Sequence, residues 1–71
     1  MKIKEKVYNF KTKYNEGFTQ FEISLLLKEI PNIDLKKFND SLLGSTYIII
    51  DGQDITYKHD ILNAIYYSIE K

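Results

Sequence analysis

The sequence predicts a small α+β fold, mostly helical, with three helices, a β-hairpin and a C-terminal helix. Three observations predict it. Apolar residues recur at helical spacing from Ile3 to Leu42, with breaks at Gly17 and Pro31. The period then shortens to two through the β-branched and aromatic stretch 45–57, which is centred on Asp51-Gly52. Helical spacing returns after Asp60.

In the first segment Ile3, Val7, Phe10 and Tyr14 follow one another at steps of 4, 3 and 4, a single helical stripe with the lysines largely outside it. Asn15-Glu16-Gly17 then reads as the helix end and a turn. The second helix has the clearest local signal. Thr19 and Glu22 have the spacing of a capping box, in which the hydroxyl accepts from the backbone amide three residues on while the carboxylate reaches back. Phe18 and Ile23 flank them at the positions of a hydrophobic staple. Phe21 or Ile23, with Leu26, Leu27 and Ile30, supplies the buried face, and Pro31 stops the helix because it pushes the preceding residue out of helical ψ.

Asp34 is the expected N-cap of the third helix, with Ile33 and Phe38 as its staple. Leu35, Phe38 and Leu42 form its inner face, and Gly44 follows as the C′ residue. Residues 45–50 and 53–57 are the two hairpin strands, because Asp-Gly is a preferred dipeptide of the type I′ turn. A two-residue loop pairs Ile50 with Gln53, Ile48 with Ile55 and Thr46 with Tyr57. Ile48, Ile50, Ile55 and Tyr57 then share one face, and Tyr47, Ile49, Asp54 and Thr56 the other. Asp60 is the expected cap of a last helix whose Ile61, Leu62, Ile65 and Ile69 face inward.

Gly17-Phe18-Thr19-Gln20 entering a helix, a four-residue turn, a second helix and a hairpin together resemble a winged helix-turn-helix domain over residues 17–57. The resemblance implies a winged-helix-like arrangement, with DNA binding as the habit of that family. Two features depart from its pattern. Pro31 occupies a turn where such motifs often carry Gly, and no strand is predicted between the first two helices.

The 71 residues allow a single domain, 1–71. A chain of this length buries only about 60% of its unfolded surface, so its stability margin is thin. With 44% hydrophobic and 28% charged residues it belongs to the globular class. The absence of Cys excludes a disulfide scaffold, a Cys-based zinc site and a thiol nucleophile. No apolar run approaches the ~20 residues of a membrane span, and no apolar segment follows the N-terminal lysines as in a secretory signal, so a cytoplasmic location is expected. Eleven Ile, ten Lys, six Tyr and five Asn fit an AT-rich coding sequence of the kind found in low-GC bacteria and their phages or mobile elements.

The net charge is zero but unevenly spread: residues 1–13 carry five Lys against Glu5, while residues 14–35 carry four acids against Lys28. The basic start is the one electrostatic feature that could attract a phosphate backbone, but a solvated, Lys-rich helix face is the favoured account of it. There is no Arg, so the bidentate fork that reads guanine and clamps phosphate is missing.

No arrangement of enzymatic chemistry emerges. His59 is the lone imidazole, and no elbow motif supports a triad with Ser24, Ser41, Ser45 or Ser68. Asp51, Asp54 and Asp60 cluster in sequence, but not with the spacing of a calcium loop, and a turn residue and a cap already account for two of them. The three glycines are too far apart for a phosphate-binding loop. The expectation is a non-enzymatic protein without cofactor, metal, small-molecule substrate or membrane partner.

Two binding readings remain. The favoured one is a regulatory protein that contacts a protein partner, or a second copy of itself, through Tyr47, Ile49 and Thr56 on the hairpin and through Tyr66 or Tyr67, which point about 100° apart on the last helix. Host machinery is a natural target if the chain is phage-encoded. The other is a dimeric DNA-binding regulator whose third helix offers Lys36, Lys37, Asn39 and Ser41 to the major groove while Lys11 and Lys13 hold the backbone. Asp34 and Asp40 cancel the two lysines of that helix.

Overall fold

The computed structural model describes residues 2–69. Its elements in chain order are α1 (Ile3–Asn9), β1 (Gly17–Phe18), α2 (Gln20–Lys28), α3 (Leu35–Leu42), β2 (Tyr47–Ile50), β3 (Gln53–Tyr57) and α4 (Lys58–Ser68). The three strands form one antiparallel sheet in the order β1-β3-β2. Four helices with a small three-stranded sheet make an α+β fold, and the order of elements is compatible with a winged-helix-like arrangement.

Local signals decide most of these elements. At the start of α2 the Thr19 hydroxyl accepts from the Glu22 N–H at 3.2 Å and the Glu22 carboxylate accepts from the Thr19 N–H at 2.9 Å, so the capping box is complete. Asp34 caps α3 by accepting from the N–H groups of Lys36 and Lys37. The hairpin has Ile50 opposite Gln53 and Ile48 opposite Ile55 as expected, but β2 begins at Tyr47, so the expected Thr46–Tyr57 pair is not made and Tyr57 pairs with Gly17 instead. The turn residues Asp51 and Gly52 both have positive φ, 52° and 77°.

Several expectations need correction. The first helix ends at Asn9, and Tyr14 lies outside it in a bridge with Gly17; its hydroxyl donates to the Asp51 carboxylate at 3.0 Å. A strand does lie between the first two helices: Gly17 and Phe18 pair with Tyr57 and Thr56. The last helix begins at Lys58, so Asp60 sits inside its first turn, where its charge complements the helix dipole, and caps nothing. The inner face of α3 is narrower than its sequence suggests, because Leu35 is exposed and Phe38 supplies the burial. Gly44 stands at C′, but without the positive φ of a glycine cap.

The core gathers Val7, Phe18, Ile23, Leu26, Ile30, Phe38, Ile61, Leu62, Ala64 and Ile65. Helix α4 is its spine: it packs against α3 and α1, and Ala64 and Ser68 lie buried on the same face as Ile61 and Ile65. The Ser68 hydroxyl is satisfied by the Ala64 carbonyl at 2.7 Å, and the Ser68 carbonyl accepts from the Asp34 N–H at 2.8 Å, tying the end of α4 to the start of α3. Among the described residues no helix is long and apolar enough to cross a membrane.

Candidate functional site

The period of two along the hairpin positions the site. Ile48 and Ile50 turn toward the core side and are half-buried, while Tyr47 and Ile49 turn away and are 57% and 69% exposed. Tyr47 faces Thr56 across the ladder and Ile49 faces Asp54, so these four side chains share one face, as the sequence predicts. Thr56, however, is only 6% exposed. Its strand is the central one, with β1 paired on one side and β2 on the other, and the residue forms the floor of a groove instead of an open contact surface.

That groove, about 320 Å³, runs between the hairpin and the ends of two helices: Gln20 of α2, Asn39 and Leu42 of α3 and the following Leu43 line it opposite Tyr47, Asp54 and Thr56. A smaller groove of about 210 Å³ adjoins it and shares Gln20 and Asp54, adding Phe21 and Gln53. Phe21 is 71% exposed and Leu43 is 85% exposed. The outer hairpin face thus belongs to a larger surface in which Phe21, Leu43 and Tyr47 line grooves with the amides of Gln20, Asn39 and Gln53, while Ile49 adds apolar area on the same hairpin face as Tyr47. Asp54 is the charged residue lining the two grooves.

Phe21 and Leu43 are absent from the sequence-based site, although both had a signal. Once Thr19 is the cap and Ile23 the staple, Phe21 lies two residues from Ile23, about 200° around the helix, and points outward. Leu43 follows a stripe that Phe38 and Leu42 already fill, so its side chain has no inner position left.

Of the α4 tyrosines, Tyr66 lies elsewhere. Tyr66 and Tyr67 are both exposed, but Tyr66 borders a groove with Lys2, Ile3, Lys4 and Glu5 at the start of α1. It shares no lining with Tyr47 or Ile49.

The nucleic-acid candidates are dispersed. Lys36, Lys37 and Asn39 are exposed on α3, whereas Ser41 is half-buried. Lys11 borders a groove with Lys2, Lys6 and Glu29, where Lys6 pairs with Glu29 at 3.4 Å. Lys13 donates its backbone N–H to the Glu22 carboxylate at 2.7 Å and holds its ammonium 5.5 Å from the centre of the Tyr14 ring. None of the α3 residues lines either groove at α1, so the two basic sets do not merge into one surface there. Asn39 instead belongs to the hairpin groove, beside Tyr47.

The acidic residues around the hairpin are also apart in role. Asp51 accepts from Tyr14, Asp54 lines the grooves, and Asp60 lies 3.5 Å from His59 Nε2, whose ring stacks on Tyr57. Among the described residues no group of three or more His, Cys, Asp or Glu side chains is placed to hold a metal ion. The hairpin site holds apolar surface, amide donors and acceptors and one carboxylate, the materials of recognition. No family model matches the chain, and no curated protein or solved structure matches it either.

Proposed function

We propose that this chain is a non-enzymatic binding protein that acts by contacting a protein partner through the outer face of its hairpin. One observation supports this above the others: Phe21, Leu43 and Tyr47, each more than half exposed, border two adjoining grooves, and the equally open Ile49 shares the outer hairpin face with Tyr47. Leaving four large apolar side chains in water on so small a domain is costly, and each regains about 1.5–3 kcal/mol when a partner covers it fully. Amides and a tyrosine hydroxyl among them supply the polar contacts that fix orientation.

The second reading, a winged-helix DNA-binding regulator, draws support from the order of elements and from the exposed Lys36, Lys37 and Asn39. Charge weighs against it. The groove between α3 and the hairpin carries Asp54 and no lysine, which disfavours a phosphate backbone there.

The test is a pair of variants, Tyr47→Ala with Ile49→Asp, and Phe21→Ser with Leu43→Ser. All four side chains are exposed, so both double variants should keep the wild-type far-UV circular dichroism. The expected result is that immobilised wild-type protein retains a partner from its native cell extract and that each double variant loses it. Unchanged retention by both folded variants overturns the proposal.

A further inference from the structure

The longer edge strand of the sheet is β2, because β3 lies between it and the two-residue β1. In a hairpin with a two-residue loop the residues flanking the loop exchange both of their hydrogen bonds, and the pairs then alternate. Ile50 and Ile48 therefore spend their backbone groups on Gln53 and Ile55, while the N–H and C=O groups of Tyr47 and Ile49 point away from β3. Among the described residues no other backbone or side-chain group bonds to them. Proteins commonly blunt such an edge with Lys, Pro, a bulge or a covering loop. The strand Tyr47–Ile50 has no charged residue and no proline, and it pairs with β3 without a bulge.

We infer that a second copy of this chain occupies that edge, β2 pairing antiparallel with β2 of the other copy about a two-fold axis at Ile48. This rests on the reading of the hairpin as the contact surface. Self-pairing satisfies every requirement of the strand at once. Tyr47 stands opposite Ile49 of the other copy, and Ile49 opposite Tyr47, so the groups that now face water form two reciprocal pairs with four hydrogen bonds. Residues of like parity oppose each other, which keeps the outer face of one copy continuous with that of the other: Tyr47 packs on Ile49, and Ile48 meets Ile48 on the core side. The next positions out set Thr46 against Ile50 and Ser45 against Asp51, and no like charges are brought together across the ladder. The three-stranded sheet becomes a six-stranded one, and the two recognition faces lie side by side, as a partner of two-fold symmetry requires.

Sedimentation equilibrium from about 10 μM to about 1 mM, a range suited to a small interface, reads the association directly. The expected result is a mass that rises toward twice that of the monomer, with the amide hydrogens of Tyr47 and Ile49 exchanging more slowly as concentration rises. Ile49→Pro removes an N–H that faces the open edge and leaves the ladder to β3 its partners, so it should remain monomeric throughout the range. If that variant fails to fold, amide exchange in the wild-type protein decides without it. A monomeric mass at the highest concentration overturns the inference, as does a dimer in which the Tyr47 and Ile49 amides exchange as fast as in dilute protein. A monomer whose Tyr47→Ala, Ile49→Asp variant still loses its partner sinks the self-pairing and leaves the partner-binding face intact.

Discussion

Gly17 lies against the backbone of Thr56, so close that a Cβ placed on it would overlap the Thr56 carbonyl oxygen and stand 2.7 Å from the carbonyl carbon. The contact is the pairing of β1 with β3, which adds a third strand on the side of β3 opposite β2. Backbone cannot yield there as a flexible side chain would. Gly17→Ala should therefore cost about 1–3 kcal/mol, the range for overpacking, and lower the urea midpoint without changing the slope of the transition. An unchanged midpoint would mean that β1 is not held against β3.

Gly52 is required for a different reason. Nothing lies within 4 Å of a Cβ built on it, but its φ of 77° belongs to the left-handed region that side chains avoid. Gly52→Val should destabilise by about 1–2 kcal/mol through backbone conformation alone, and Gly52→Asn should be much milder. Thermal unfolding of the two variants side by side separates these effects; equal loss in both would point away from a type I′ turn.

The Glu22 carboxylate serves two backbone donors, the N–H of Thr19 at 2.9 Å and that of Lys13 at 2.7 Å. One side chain thus caps α2 and pins the connection that leads into β1. Glu22→Ala should cost about 1–3 kcal/mol, more than the loss of one cap, and should speed exchange of the Lys13 amide together with that of Thr19. Glu22→Gln keeps two acceptor lone pairs on one oxygen only and should recover part of the loss. A stability change without faster exchange at Lys13 would disprove the shared role.

The charge distribution predicts weak attraction for nucleic acid. Labelled random duplex should show flat anisotropy up to tens of micromolar protein, at about 50 and about 200 mM salt alike. Binding that weakens by orders of magnitude between those salts is the signature of several phosphate contacts. If it appeared and were lost with Lys36→Glu and Lys37→Glu, the DNA-regulator reading would replace the protein-partner one.

What the sequence by itself determined is local. The Thr19 and Asp34 caps, the Asp51-Gly52 turn, the register of the hairpin and the outward faces of Tyr47 and Ile49 each depend on residues within about ten positions of one another. Propensity, capping geometry and the period of two suffice for those. Tertiary structure decided the rest. Tyr14 has helical spacing from Val7 and Phe10, yet it leaves the helix to reach Asp51, 37 residues away. Gly17 and Phe18 make a strand only because Thr56 and Tyr57 arrive beside them, and a two-residue strand has no period to read. Thr56 alternates as an exposed residue should and is buried because its strand is central. Phe21 and Leu43 become one surface with the hairpin only when the ends of α2 and α3 meet it. Pairing between distant segments depends on the whole packed core, where side-chain fit and the satisfaction of backbone groups outweigh local preference.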